Sequence, residues 1–242
     1  MPVGVIINSA AIFLGGIAGG VLGNKLSDNL KEQLNLIFGL CSMGMGIVSI
    51  GLMKYMPAVI FAIIIGTLLG FLFNLGEWIY QASVKMQRIM LKIIPKGKTE
   101  MSETEYLATL ITVIVLFCAS GTGIYGSLNE GMTGDASILI AKSILDFFTA
   151  MIFACNLGYI VSLIAIPQTI IFVCLYFSAG IIIPLTTPDM ISDFKACGGF
   201  LMLATGFRMI KLKMFPIADM IPAMLIVMPL SWLWGNIILQ LL

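Results

Sequence analysis

The sequence contains no histidine. That removes imidazole proton relays, histidine metal ligands and the Ser-His and Cys-His forms of nucleophilic catalysis. Charge is scarce too. Asp, Glu, Lys and Arg make up 10% of the 242 residues, against roughly 25% in a soluble globular protein. The net charge of +1 excludes the basic footprint of a nucleic-acid-binding protein. Cys41, Cys118, Cys155, Cys174 and Cys197 form no CxxC pair and fall in apolar runs. They read as small hydrophobes, not as metal ligands. No GxxxxGK[ST] loop occurs, which argues against ATP-driven pumping by this chain alone. Together these absences point away from an enzyme, with no cofactor and no metal site expected.

Apolar residues are abundant: 60% of the chain, with a mean hydropathy of +1.07. Several runs reach the ~20 residues that cross a hydrocarbon core of about 30 Å. In lipid the backbone must satisfy itself, and strand-like alternation is lacking, so the expectation is an all-α polytopic integral membrane protein. About 7–8 transmembrane helices are predicted, with the lipid bilayer as partner. Met1–Gly23 lacks a basic leader, since the first cation is Lys25, and reads as a retained span. Residues 76–105 form the main polar segment. Its pattern EWIYQASVKMQRIMLKII predicts an amphipathic helix on the membrane surface, carrying Lys85, Arg88, Lys92, Lys96 and Lys98 nearby. The positive-inside rule places this segment in the cytoplasm and the N-terminus outside, in the cell membrane. Arg208, Lys211 and Lys213 then fall on the cytoplasmic side as well.

Sliding the chain by 160 residues superposes Gly20 on Gly180, Gly39 on Gly199, Gly46 on Gly206 and Ile50 on Ile210. The expected organisation is an inverted repeat of two three-helix units around a central two-helix element. Residues 1–75 form the first unit, 76–105 the surface segment, 106–166 a broken helix plus a polar helix, and 167–242 the second unit. Inverted repeats are common in secondary transporters, whose sites lie near the midplane at discontinuous helices.

The polar residues cluster in the central element. Asp135, Lys142, Thr149 and Asn156 recur every seven residues, and Asp146 follows Lys142 by four, which puts the two on one helix face. If Asp135 marks the outer interface, Asp146 lies about 16 Å deep, where a charge must face protein or water. The expected ion pathway comprises Asp146, Lys142, Ser143, Asp135, Thr149 and Asn156 on this helix. Asn8, Gln168 and Asp219 join it from the flanking units. A Lys142–Asp146 pair that only stabilises packing is the rival reading, and an interhelical hydrogen bond is the favoured role of Asn8. GTGIYG at 121–126 spells a dinucleotide fingerprint, but no βαβ unit is available to use it. Gly121, Gly123 and Gly126 instead suggest flexible or unwound backbone, with a plain outer loop as the alternative. Glu130 and Asp135 then flank the glycines as local-field or solvated charges. The substrate expected is a small cation such as Na⁺ or H⁺. A membrane scaffold or regulator without transport is the second reading, and the many glycine faces admit a homo-oligomer.

The runs GDASILIAKSILD, PQTIIF, GGFLMLATGFRMIKLK and IADMIPAMLIV, with the opening GVIINSAAIFLGGIAGGVLG, resemble the YdfK/YqgA-type bacterial membrane proteins of unknown function. The resemblance runs over essentially the whole chain. Its most specific parts are Lys142-Ser143 with Asp146 and Asp219 with Pro222-Ala223. It implies an inner-membrane protein and, loosely, a sodium channel or pump. The chain departs from the family pattern at Phe147, Asp219 and Phe71, where Gly, Asn and Glu are usual.

Overall fold

The computed structural model describes residues 1–22, 27–96 and 102–241, and among these every regular element is helical. Lys98 therefore lies outside the described residues. The helices are α1 (Val3–Leu22), α2 (Asp28–Ile50), α3 (Met56–Leu72), α4 (Leu75–Ile93), α5 (Glu103–Cys118), α6 (Gly121–Thr133) and α7 (Ser137–Leu157). They continue with α8 (Ile160–Leu163), α9 (Ala165–Ile182), α10 (Pro188–Met209), α11 (Ile217–Met220), α12 (Pro222–Leu233) and α13 (Leu239–Leu241).

Local chemistry sets the boundaries. The Ser27 hydroxyl accepts the Leu30 N–H and starts α2. Thr187 caps α10, with Pro188 in its first turn, where a missing N–H costs nothing. Asn74 takes the left-handed conformation, with φ 51°, and turns α3 into α4 through a 58° bend. Gly134, at φ 75°, ends α6.

Among the described residues, six helical runs are long and apolar enough to cross a membrane, or seven if the bent α3–α4 pair is one span. Residues 196–209 belong to the longer α10, which begins at Pro188. The opening turns of α10 carry Asp189, Asp193 and Lys195. Large apolar side chains such as Val48, Leu72, Ile181 and Leu185 are more than 70% exposed on the outer surface, as lipid contact requires. On α4, Lys85, Arg88 and Lys92 are exposed, as are Trp78 and Ile89, and Lys96 is exposed just beyond it.

Glycine governs how closely the helices approach. On α1, Gly15 and Gly19 meet the Phe147 and Met151 carbonyls of α7, while Gly16 and Gly20 meet Ser162 and Tyr159. The two small-xxx-small series therefore serve two different neighbours. Helices α2 and α10 cross antiparallel: Gly46 packs on Gly199, and Gly39 on Gly206. A Cβ on either Gly46 or Gly199 would stand 2.7 Å from the other's carbonyl oxygen. Three hydrogen bonds join residues 160 apart: Ser42 to the Met202 carbonyl, Gln168 to Asn8, and Thr169 to Ser9.

The glycine segment is not unwound. Gly121–Thr133 is regular helix and almost wholly buried. The break that precedes it is confined to Ala119 and Ser120. Tertiary packing overrides the low helix propensity of glycine. Gly121 faces Leu201, Gly123 the Phe172 ring, Gly126 Leu139 and Gly131 the Tyr176 carbonyl, so bare backbone is needed on several sides of α6.

Candidate functional site

Lys142 and Asp146 sit one turn apart on α7 with 4% and 7% exposure. The ammonium of Lys142 pairs directly with Asp146 Oδ2, and it also lies 5.9 Å from the centre of the Phe117 ring. Burying two charges costs several kcal/mol each before their attraction is counted, so every further donor matters. The same Oδ2 accepts an N–H from the Asn8 amide at 2.8 Å. Asn8 Oδ1 in turn accepts from Gln168 Nε2 at 2.5 Å. Gln168 Oε1 accepts from Ser9 Oγ at 3.1 Å, and Thr169 Oγ1 donates to Ser9 Oγ at 2.7 Å. One polar chain thus runs from α7 through α1 to α9. Asn8 and Gln168 are both fully buried, so breaking the chain would strand amide groups away from water.

Cavities lead away from the ion pair on its other flank. A cavity of about 30 Å³ touches Lys142, Asp146, Thr149, Ser120, Thr122 and Thr205, room for about one water molecule. A second, of about 40 Å³, shares Ser120, Leu116 and Thr205 with the first. It shares Thr112, Val115, Arg208 and Ile217 with a third cavity of about 390 Å³. That third cavity reaches Gly76 and Asp219. Ser120, whose hydroxyl accepts the Gly123 N–H and starts α6, stands between the first two. The positive end of α6 therefore faces this row of cavities.

The expected pathway residues divide accordingly. Asp146, Lys142, Asn8 and Gln168 form one connected cluster, and Thr149 lines its cavity. Ser143 is buried beside them but donates to the Leu139 carbonyl at 2.6 Å. Asp219 lies at the far end of the cavity row and accepts the Gly76 N–H at 2.8 Å, where it caps α4. Asn156 is ten residues beyond Asp146, about 15 Å along α7, and stands apart from the cluster. Asp135 is exposed in the α6–α7 turn. Its carboxylate accepts the Ser137 N–H at 2.9 Å, which with the Ser137 hydroxyl and the Lys195 charge lowers its pKa against a smaller effect of burial. Gly121, Gly123 and Gly126 contribute close packing of a regular helix and no unwound ligand carbonyls.

Two buried carboxylates carry more than the sequence suggested. Asp193 is fully buried and accepts from the Lys54 and Tyr55 N–H groups at 2.7 and 2.9 Å and from the Ser231 hydroxyl at 2.7 Å. The signal that α10 begins early is Thr187-Pro188-Asp189, a helix-start pattern. Glu130 is 3% exposed and accepts the Gly4 N–H at 2.8 Å, so it is not a solvated loop charge. Ser120 and Gly134 frame a helix over the glycine segment and would have placed Glu130 in its last turn. Among the described residues, no group of three or more Cys, Asp or Glu side chains is arranged to hold a metal ion.

The family described as protein of unknown function (DUF554) matches residues 3–232. The uncharacterized protein YqgA of Escherichia coli strain K12 is 46% identical over 234 residues, 97% of this chain and 98% of that protein. The uncharacterized membrane protein YdfK of Bacillus subtilis strain 168 is 25% identical over 227 residues, 92% of this chain and 93% of that protein. No solved structure matches. The chain belongs to the DUF554 family, and it is a multi-pass, all-helical membrane protein.

Proposed function

We propose that this protein is a secondary transporter for a small monovalent cation, with Lys142 and Asp146 as its exchange site. The observation that carries the reading is a buried ion pair at the head of a row of cavities leading to Arg208 and Asp219. Charge balance supplies the mechanism. The pair is neutral as Asp146⁻ with Lys142–H⁺. A cation that takes the place of the ammonium on Asp146 keeps the site neutral only if Lys142 releases its proton to the cavity. One cation entering is thus coupled to one proton leaving, without placing an uncompensated charge in the membrane. Asn8 keeps one donor on Asp146 in both forms. Gln168 holds Asn8 in orientation.

Two further features support a transporter. Residues 160 apart meet at Asn8–Gln168, Ser9–Thr169 and Ser42–Met202. Gly39 and Gly46 pack on Gly206 and Gly199, each opposite the other's counterpart in the 160-residue slide. A two-fold axis in the membrane plane, relating α1, α2 and α3 to α9, α10 and α12, would generate this pattern. The large cavity lies between α4 and Arg208, on the basic side that the positive-inside rule assigns to the cytoplasm. The exposed basic face of α4 favours a second reading, a regulator that docks a partner there without transport.

The test is cation-driven proton movement in proteoliposomes holding the whole chain. Wild type should exceed empty vesicles with Na⁺, K⁺ or a proton gradient. Asp146→Asn should lower the flux at least about tenfold, the loss of one transition-state interaction of roughly 1.4 kcal/mol or more. Equal flux in the two proteins removes Asp146 from the mechanism. No flux above empty vesicles for any of the three ions removes the cation reading.

A further inference from the structure

The cavity row accounts for only one side of Asp146. One turn nearer the start of α1 than Asn8 lies Glu130, in the last turn of α6. Its Oε1 takes the Gly4 N–H at 2.8 Å. Its Oε2 is buried and, among the described residues, has no hydrogen-bond partner. The neighbouring Asn129 is 1% exposed, and its Oδ1 is likewise without a partner. Two orphaned buried acceptors on adjacent residues are unusual, because each is costly unless something satisfies it. No described cation pairs with Glu130. Lys142 of α7 is taken by Asp146, and Lys195 of α10 acts on Asp135.

Gly4 explains how the carboxylate is held. A Cβ at that position would stand 2.9 Å from Glu130 Oε2 and 2.9 Å from Leu139, so only glycine lets Glu130 close over the start of α1. The first-turn amides of α1 favour a negative group there. Gly4 and Asn8 are one helical turn apart on α1, about 6 Å along its axis. Glu130 and Asp146 therefore touch α1 at successive turns, Glu130 through Gly4 and Asp146 through Asn8.

We infer that Glu130 is a second cation site, which takes a small alkali cation such as Na⁺ in exchange for a proton on Oε2, on the side of Asp146 away from the cavity row. This rests on the transport reading given above. The unpartnered Glu130 Oε2 offers an oxygen donor on a group of charge −1. That suits a hard monovalent ion and lacks the additional acidic ligands of a typical divalent site. Binding exchanges H⁺ for Na⁺, so the charge is the same before and after. Glu130→Gln keeps an oxygen for the Gly4 N–H and removes the exchange.

Dicyclohexylcarbodiimide, which modifies protonated carboxyls in membrane proteins, reads this site without requiring transport. The whole purified chain is labelled in Na⁺ or in choline, and the adducts are located by mass spectrometry. Labelling is expected at Glu130, slowed about tenfold by Na⁺ at some ten times its dissociation constant. The Glu130→Gln protein should fold, with no adduct at 130 and flux reduced about tenfold. Absence of a Glu130 adduct, or equal labelling in Na⁺ and choline, overturns the inference. Asp146→Asn separates the two readings. Na⁺ protection at Glu130 with flux unchanged by Asp146→Asn means that the exchange site has failed and the Glu130 site stands. Flux abolished by Asp146→Asn with no protection at Glu130 means the reverse.

Discussion

Asp146 and Asp193 are both buried carboxylates, yet the fold treats them differently. Asp193 is held by two backbone N–H groups at the start of α3 and by the Ser231 hydroxyl of α12. The backbone donors are fixed by the fold itself and cannot move without unwinding the turn that leads into α3. Asp146 is held by the ends of two side chains, Lys142 and Asn8, and it borders a cavity with room for about one water. Side-chain donors can rotate away, and one of them can lose its proton. Burial alone therefore does not mark a working carboxylate. On the transport reading proposed above, the nature of the donors and access to a cavity do.

The largest test of this contrast is Asp193→Ala. It leaves the buried Ser231 hydroxyl and the part-buried Lys54 and Tyr55 N–H groups without their acceptor, and bonds to a charged group are worth about 1.5–3 kcal/mol each. The expected loss is about 3–5 kcal/mol, read as a fall in the thermal unfolding midpoint in detergent. A protein that melts within a degree or two of wild type would show that Asp193 is no latch, and the comparison would break.

Sequence alone carried the Asp146 side of the comparison well. The spacing of Lys142 and Asp146 at i, i+4 within an apolar run already implied a buried pair on one face. Asn8 and Gln168 were each legible as polar intruders, but not as each other's partners. The 160-residue slide held that information, since it superposes Asn8 on Gln168 and Ser9 on Thr169. Those pairs are similar without being identical, and identity-matching on glycines passes over them. The burial of Asp193 and Glu130 is hidden from the sequence for a different reason. Each lies near the end of a helix whose extent is set by packing. For α6, glycine propensity argued for unwinding, whereas the neighbours Phe172, Leu201 and Tyr176 require bare backbone. A window of local sequence holds no record of those neighbours.

A smaller effect sharpens the Asp146 side. Lys142→Met or Asp146→Leu alone strands a buried charge and should cost about 3 kcal/mol. The double substitution replaces the pair with apolar groups and should return stability to within about 1 kcal/mol of wild type. Transport should stay abolished in all three. Unfolding midpoints and proteoliposome flux are measured on the same preparations. A double variant as unstable as the sum of the singles would make the pair a structural support like Asp193 and erase the distinction drawn between them.

The smallest effect calibrates the contrast from outside the membrane. Asp135 accepts a backbone N–H, as Asp193 does, but in an exposed turn. The Ser137 N–H, the Ser137 hydroxyl and the Lys195 charge hold its carboxyl below the ordinary value of 3.8. A depressed carboxyl pKa gives stability that is full above the unfolded value and is lost as the pH falls through the folded one. Solvent screening keeps this contribution small. Asp135→Asn retains an oxygen for the Ser137 N–H and removes the charge. Its unfolding midpoint should fall slightly below wild type near pH 6, and the gap should narrow as the pH falls below 3.8. If Asp135→Asn destabilises the protein as much as Asp193→Ala does, then the negative charge beside a helix start, and not burial, sets the strength of the Asp193 latch.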